Sequence, residues 1–591
     1  MRQAFFVQFA RKKRIFTKEM YEKNKLKQER VAAKRQPSLH YISINRYNFY
    51  MTIREQLNSI AEKRILILDG AMGSMIQTYN LNENDFRGSD FSAHPSPLYG
   101  CNDLLCLTKP ETIESIHTAY LEAGADIIET CSFNATSISL SGYGLGDFAY
   151  KISAAAAKIA RNAIEKFSAS GKNLDARPRF TAGSIGPTAK GASLYPDVNN
   201  PGKRSINWDE LESAYYDSAR GLLDGGIDIF LVETVFDTLN AKAALFAINR
   251  LLEERQIDVP VIISAAVSSE SGRLLSGQSL EAFCVSVLHA KPWAVGLNCS
   301  FSADKLLPLV RQIAKTVPCR VSVYPNAGLP NKSGSYDETP EKMSANVEEY
   351  FKEELVNIIG GCCGTSPAYI AEIAKKAAEY KPRKTENISH NGRFSGLEIL
   401  ELAHNAVKIR EIEKTAYIND FLQYIKNGEY EDAVDTARDF VDDGGTVINI
   451  KIDDENSMSK FLDFALMNPY AAKIPFFLNS SQISVLQTGL KRLQGRGFAG
   501  HLSLKDGDEK LFREAEIIRR YGAAAVFSLI DEHGQAETFE RKTEIMRRIY
   551  CLLQKSGYPA ENIVFDLFED GEKEPLYLWI RENCPGAIIS I

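Results

Sequence analysis

From Arg64 onward the chain repeats one pattern, a short apolar run followed by an amphipathic stretch of helical length. The apolar runs are ILILDG (65–70), DIIETC (126–131), RFTAGS (179–184), DIFLVET (228–234), PVIISAAV (260–267), AVGLNC (294–299), RVSVYPN (320–326) and LVNIIGG (355–361). Segments between them, such as KPETIESIHTAYLEAGA and WDELESAYYDSARGLLDGG, place apolar residues at helical spacing and close on glycine, where a C-cap falls. Eight such βα units predict an α/β fold, a (β/α)8 TIM barrel. The rival, an open doubly wound sheet, calls for a G-x-G-x-x-G loop after its first strand, and DGAMGS lacks that spacing.

A chain of 591 residues exceeds one barrel and predicts further domains. A net charge of −6 and 25% charged residues give no uniform basic character, so nucleic acid is not an expected partner. No apolar run is long enough for a bilayer, which excludes a membrane span. Ten cysteines without repeated spacing read as reduced thiols in a cytoplasmic protein, not as a secreted disulfide framework. Residues 1–50 stand apart, with thirteen Lys/Arg against Glu19, Glu22 and Glu29. They read as a basic extension, either a disordered arm or a mis-assigned start upstream of Met51.

In a parallel barrel the chemistry lies at the carboxyl ends of the strands. Those ends carry Asp69, Glu129 with Thr130 and Cys131, Glu233, Cys299, Asn326, and the adjacent pair Cys362–Cys363. Strands six and eight flank strand seven, so Cys299 can reach the pair. Neighbouring cysteines seldom bond to each other, and three thiolates on one rim repel unless a cation sits among them. Zinc fits, bound by sulfur with a fourth position open. The glycines around the pair allow the tight turn that aims both sulfurs at one metal. An open zinc–thiolate site ionises an incoming thiol, which points to thiolate attack on an alkyl carbon. Asp69 and Glu233 on the same rim can hold a cationic amino group, so an amino acid bearing a thiol fits both features.

The ordered motifs LDGAMGSMIQ, TKPETIESIHTAYLEAGADIIETCSFNAT, AGSIGPT, VETVFDTLNAKAAL, GLNCS, YPNAG and GGCCGTSP resemble the homocysteine S-methyltransferase family. Within it they are most similar to the amino-terminal module of cobalamin-dependent methionine synthases. The resemblance covers Ile53 to Lys384 and implies zinc-dependent methylation of homocysteine. It implies Cys299, Cys362 and Cys363 as zinc ligands and Asn326 as the residue completing the metal sphere before substrate arrives. Asp69, Gly70, Glu233, Thr130 and Ser132 correspond to homocysteine-binding positions. One departure is Cys131, which stands in ETCSFNAT where the family has Asn. It reads as a fourth thiol near the site or a packed strand-end cysteine.

After a linker at residues 385–395, the second half alternates again, with strands expected at 398–405, 446–453, 474–481, 499–506, 524–531, 562–568 and 587–591. Seven strands predict an incomplete TIM-barrel-like domain over residues 396–591, whose open edges call for a partner chain or self-association. The segments GEYEDAVDTARDFVDDGG, SLKDGDEKLFREAEIIRRYGAAAVF, DEHGQAET and RKTEI resemble the pterin-binding barrel of methionine synthases. Its folate-binding turns are replaced by NAVKIREI (Asn405 to Ile412), Asn449-Ile450-Lys451, Asn479 and Asp566-Leu567-Phe568. Each unmet hydrogen bond to a buried pterin costs about 1–3 kcal/mol, so folate binding is not expected. No D-x-H-x-x-G cobalamin signature is present, which implies methylcobalamin supplied in trans by a separate protein. S-methylmethionine or S-adenosylmethionine is the alternative donor, and a non-catalytic component docking a corrinoid protein is the alternative role.

Overall fold

Eight short parallel strands, nearly all of them buried, form the first barrel of the computed structural model. They are β1 (Leu66–Ile67), β2 (Ile127–Glu129), β3 (Phe180–Ile185), β4 (Ile229–Val235), β5 (Val261–Ala265), β6 (Ala294–Ser302), β7 (Arg320–Asn326) and β8 (Ile358–Ile359). The structure describes residues 51–590 except 174–176, 198–199, 201, 330–335, 386–391, 404–405, 408–417 and 568–572. Hydrogen bonding runs β1-β8-β7-β6-β5-β4-β3-β2, and a parallel bridge between Leu68 and Ile127 draws the two ends together, so the barrel is nearly closed. All eight expected strands are present. Their helices start and stop on local signals: in Trp208–Gly225, Asn207 and Glu210 form a reciprocal capping box and Gly226 closes the helix at φ 96°.

The second half departs from expectation at its start. The described residues of 398–405 do not supply the first strand of the sheet. Instead β9 (Arg393–Ser395) and β10 (Ile399–Glu401) pair antiparallel as a separate hairpin. Phe394 of this hairpin stacks on Phe498 at 4.0 Å and joins the barrel's inner apolar cluster with Val447, Phe477, Val526 and Val564. Alternating apolar residues here form a plug, a use that local pattern does not distinguish from a sheet strand. The sheet begins at β11 (Ala406–Val407) and continues with β12 (Ile448–Lys451), β13 (Phe476–Asn479), β14 (Phe498–Leu502) and β15 (Ala524–Phe527). A small hairpin, β16 (Ile530–Asp531) and β17 (Gly534–Gln535), precedes β18 (Ile563–Asp566) and β19 (Ile588–Ser590). The order β11-β19-β18-β15-β14-β13-β12 gives a curled seven-stranded parallel sheet, a half-barrel.

Both barrels belong to one unit, Leu57–Ile591. Trp208 and Phe246 of the first barrel meet Tyr521 of the second, with ring centroids 5.3 and 4.9 Å away. Lys242, on the helix Thr238–Arg255, is 1% exposed and donates to the carbonyls of Leu493 (2.7 Å) and Gly495 (3.1 Å). Burial lowers its ammonium to about 7. An unfolded lysine titrates near ~10.4, so between the two values the unfolded chain holds a proton that the folded chain lacks, and stability rises with pH across that window. The Lys242→Met variant loses both donors, leaving two buried carbonyls unpaired at about 1–3 kcal/mol each. It is expected to melt below wild type, by a gap that widens from pH 7 to pH 10 as read by thermal melts (window from the same shift). A gap independent of pH would show that the ammonium stays charged in the folded protein.

Candidate functional site

The carboxyl end of β6 is bent by a local irregularity. Its register with β7 slips between Cys299 and Ser302, and Cys299 and Ser300 have φ of 55° and 61°. Such left-handed backbone costs a non-glycine residue about 1–3 kcal/mol and persists only where its surroundings enforce it. After β8, the amide of Cys362 donates to the Pro325 carbonyl (2.8 Å) and that of Cys363 to Asn326 Oδ1 (3.1 Å). The Thr365 hydroxyl donates to the Cys362 carbonyl at 2.7 Å. Gly364, at φ 82°, leaves room for the Tyr336 ring, which a Cβ would meet at 2.3 Å. These constraints bring the sulfurs of Cys299, Cys362 and Cys363 within 4.8 Å of one another, with Cys299 and Cys363 at 3.7 Å.

Hydrogen bonds from the Cys299 and Cys362 thiols hold Cys363 down to about 3, and their donation pushes Cys362 well up. Ionising all three requires a cation. Tetrahedral zinc with bonds of about 2.3 Å sets its sulfurs roughly 3.8 Å apart, close to the Cys299–Cys363 spacing. All three cysteines are only partly buried, so the cluster can be approached from solvent. Among the described residues it is the one group of three or more His, Cys, Asp or Glu so arranged.

Beside the sulfurs lie three carboxyls from the ends of β1, β2 and β4. Asp69 is held well above the usual carboxylate range by burial, with Glu233 adding to the effect, and Glu129 likewise by burial and then by Glu233 and Asp69. Burial raises Glu233 to about 7, opposed by a hydrogen bond from the Ser184 hydroxyl and reinforced by Cys299. Asp69 Oδ2 accepts the Glu129 amide at 3.0 Å, yet Asp69 Oδ1 and Glu129 Oε1 are buried without a hydrogen-bond partner. Three close acids, two of them with an unpartnered buried oxygen, could receive one cation bearing several N–H donors.

The remaining expected residues sit one step behind. Thr130 Oγ1 accepts the Ser184 amide (2.9 Å) and lies 2.6 Å from Ser132 Oγ, which donates to the Ser184 carbonyl (2.7 Å). Both hydroxyls are therefore occupied in orienting Ser184 toward Glu233. Gly70 is small for a packing reason, since a Cβ would lie 2.7 Å from Thr365 Oγ1 and 3.0 Å from the Tyr120 ring. Asn326 Oδ1 holds the Cys363 amide. Cys131 is a packed strand-end cysteine: its thiol faces the Asn102 carbonyl and Asp103, and it neighbours Cys106. Sequence reasoning missed Ser184, Tyr336 and Asn298. Of these, Asn298 carried a signal, a lone amide in an apolar strand directly before Cys299.

In the half-barrel, Asn479 Nδ2 donates to Asn449 Oδ1 at 3.2 Å. Lys451 points to solvent, and Asp566 Oδ2 faces His501 Nε2 at 3.0 Å. Asn405, Ile412 and Phe568 lie outside the described residues.

The parallel barrel thus gathers three thiols and three carboxyls at its carboxyl end, and the thiols are a donor set that could hold a soft metal ion. The chain belongs to the homocysteine S-methyltransferase family, which residues 66–377 match, more than half of its length. It is similar to solved structures of the homocysteine methyltransferase MmuM from Escherichia coli. The oxidized form aligns at 23% identity over 54% of this chain and 99% of that one, with a TM-score of 0.43. The metallated form aligns at 23% identity over 54% and 98%, with a TM-score of 0.41.

Proposed function

We propose that the chain transfers a methyl group to the sulfur of homocysteine, giving methionine, with zinc held by Cys299, Cys362 and Cys363. The observation carrying this reading is the juxtaposition of three convergent thiols with three acids, two of which keep an unpartnered buried oxygen. Bound zinc supplies a Lewis acid that keeps the substrate sulfur ionised and nucleophilic at neutral pH. Asp69, Glu129 and Glu233 hold the substrate ammonium, which relieves their mutual repulsion and fixes the sulfur's approach. Ser184, steadied by Thr130 and Ser132, orients Glu233. Asn326 steadies the cysteine turn and is the residue we assign to complete the metal sphere before substrate binds. The S–CH3 bond forms as the methyl–donor bond breaks, and both electrons leave with the donor.

In this reading residues 51–384 are the catalytic domain and 396–591 a second domain that does not take folate, with the linker expected at 385–395 ending in β9, which packs with the second domain. The methyl donor we assign is methylcobalamin on a separate protein, supported by motifs shared with cobalamin-dependent methionine synthases in both halves. The test offers the zinc-loaded full chain homocysteine with methylcobalamin, S-methylmethionine or S-adenosylmethionine and measures methionine. Turnover with a sulfonium donor alone would reassign the donor. Failure with all three, together with capture of a corrinoid protein, would favour the docking role. Methyltetrahydrofolate is expected to give no binding heat at tens of micromolar protein, because Asn449, Lys451 and Asn479 stand where the resembled pterin site has its folate-binding residues.

A further inference from the structure

Asn298 is fully buried, and its amide bonds Thr234, the residue after Glu233, while lying within 4.0 Å of a sulfur of the thiol cluster. Its Oδ1 accepts the Thr234 amide at 3.0 Å and the Ser264 hydroxyl at 2.8 Å. Its Nδ2 donates to Thr234 Oγ1 at 2.8 Å and reaches Cys362 Sγ at 4.0 Å. Thr234 directly follows Glu233 and has φ 54°, at a point where the register of β4 against β5 slips between Val232 and Val235. The next residue after Asn298 is Cys299, at φ 55°. Two left-handed non-glycine residues, one beside the acid and one at a metal-binding position, thus flank a single amide. Strain of this kind survives only where other contacts over-determine it, and the Asn298 hydrogen bonds are those contacts at Thr234.

From this juxtaposition we infer that Asn298 is a positioning residue that sets the span between the sulfur site and Glu233, and so selects amino thiols by chain length. The inference rests on the proposed homocysteine reading. Homocysteine and cysteine carry the same two groups but differ by one methylene between them. A rigid span admits the longer thiol with both ends seated and leaves the shorter one holding only one. The Asn298 amide also lies 4.0 Å from Cys362 Sγ, one of the three sulfurs that would hold the metal.

The test uses the full chain loaded with cobalt(II), whose thiolate charge-transfer absorption reports thiol binding independently of turnover. Wild type is expected to bind L-homocysteine at least about tenfold more tightly than L-cysteine. Asn298→Ala should keep one metal per chain while that preference falls to roughly twofold or less, the loss falling on homocysteine. Thr234→Gly provides a second variant, since glycine adopts the left-handed backbone freely while removing the hydroxyl that Asn298 holds. It should relax the preference in the same direction. A general loosening would weaken both thiols equally and leave their ratio unchanged. If wild type binds neither thiol at the metal, the homocysteine reading itself fails. If wild type prefers homocysteine and both variants keep that preference with metal bound, Asn298 is not the span-setting residue.

Discussion

Cys362→Ala is expected to retain less than about a tenth of the wild-type zinc at micromolar metal, and to lose methyl transfer with it. Cys362 contributes one of three sulfurs, from a turn fixed by the Pro325 carbonyl and the Thr365 hydroxyl. Two thiols cannot hold zinc against a chelator that three can resist. Cys299→Ala and Cys363→Ala should behave alike, because all three sulfurs fall within one 4.8 Å group. The measurement is elemental analysis after dialysis against a weak chelator. Full zinc in any one of the three variants removes that cysteine from the metal sphere.

Glu233→Gln should leave zinc in place and raise the KM for homocysteine by about 30- to 200-fold, matching the roughly 2–3 kcal/mol lost when a buried charge pair is neutralised on one side. Glutamine preserves the shape and can still meet the Ser184 hydroxyl, so the barrel should fold as before. Glu233 is 4% exposed, and water cannot substitute for the missing charge. Zinc content and substrate affinity therefore separate the two halves of the site. Loss of zinc with homocysteine affinity intact would invert the assignment, making Glu233 a support of the metal.

The barrel and its catalytic rim were readable because both rest on local rules. An apolar run of strand length followed by a capped amphipathic helix sets a βα unit, and the last residue of each run names the rim. Cys299, Cys362 and Cys363 could be nominated on that basis, as could Asp69, Glu129 and Glu233. The resemblance added Thr130 and Ser132 as substrate residues, whereas the hydrogen bonds give their hydroxyls to Ser184. The expected strand at 398–405 instead holds β10, which pairs with β9 in a hairpin, because alternating apolar residues suit a plug as well as a sheet.

What the sequence by itself determined is thus the order of strands, the residues at their carboxyl ends and the chemistry those residue types favour, since each depends on neighbours a few positions away. What only the tertiary structure decided is how these ends meet. Asn298 lies 64 residues from Thr234 and 64 from Cys362, and joins them by one amide. The left-handed turns at Thr234 and Cys299 arise from the same closure, not from residue preference. The physical reason is that strain, hydrogen-bond partnership and burial belong to pairs of atoms brought together by folding, and residue spacing along the chain does not encode which distant pairs those are.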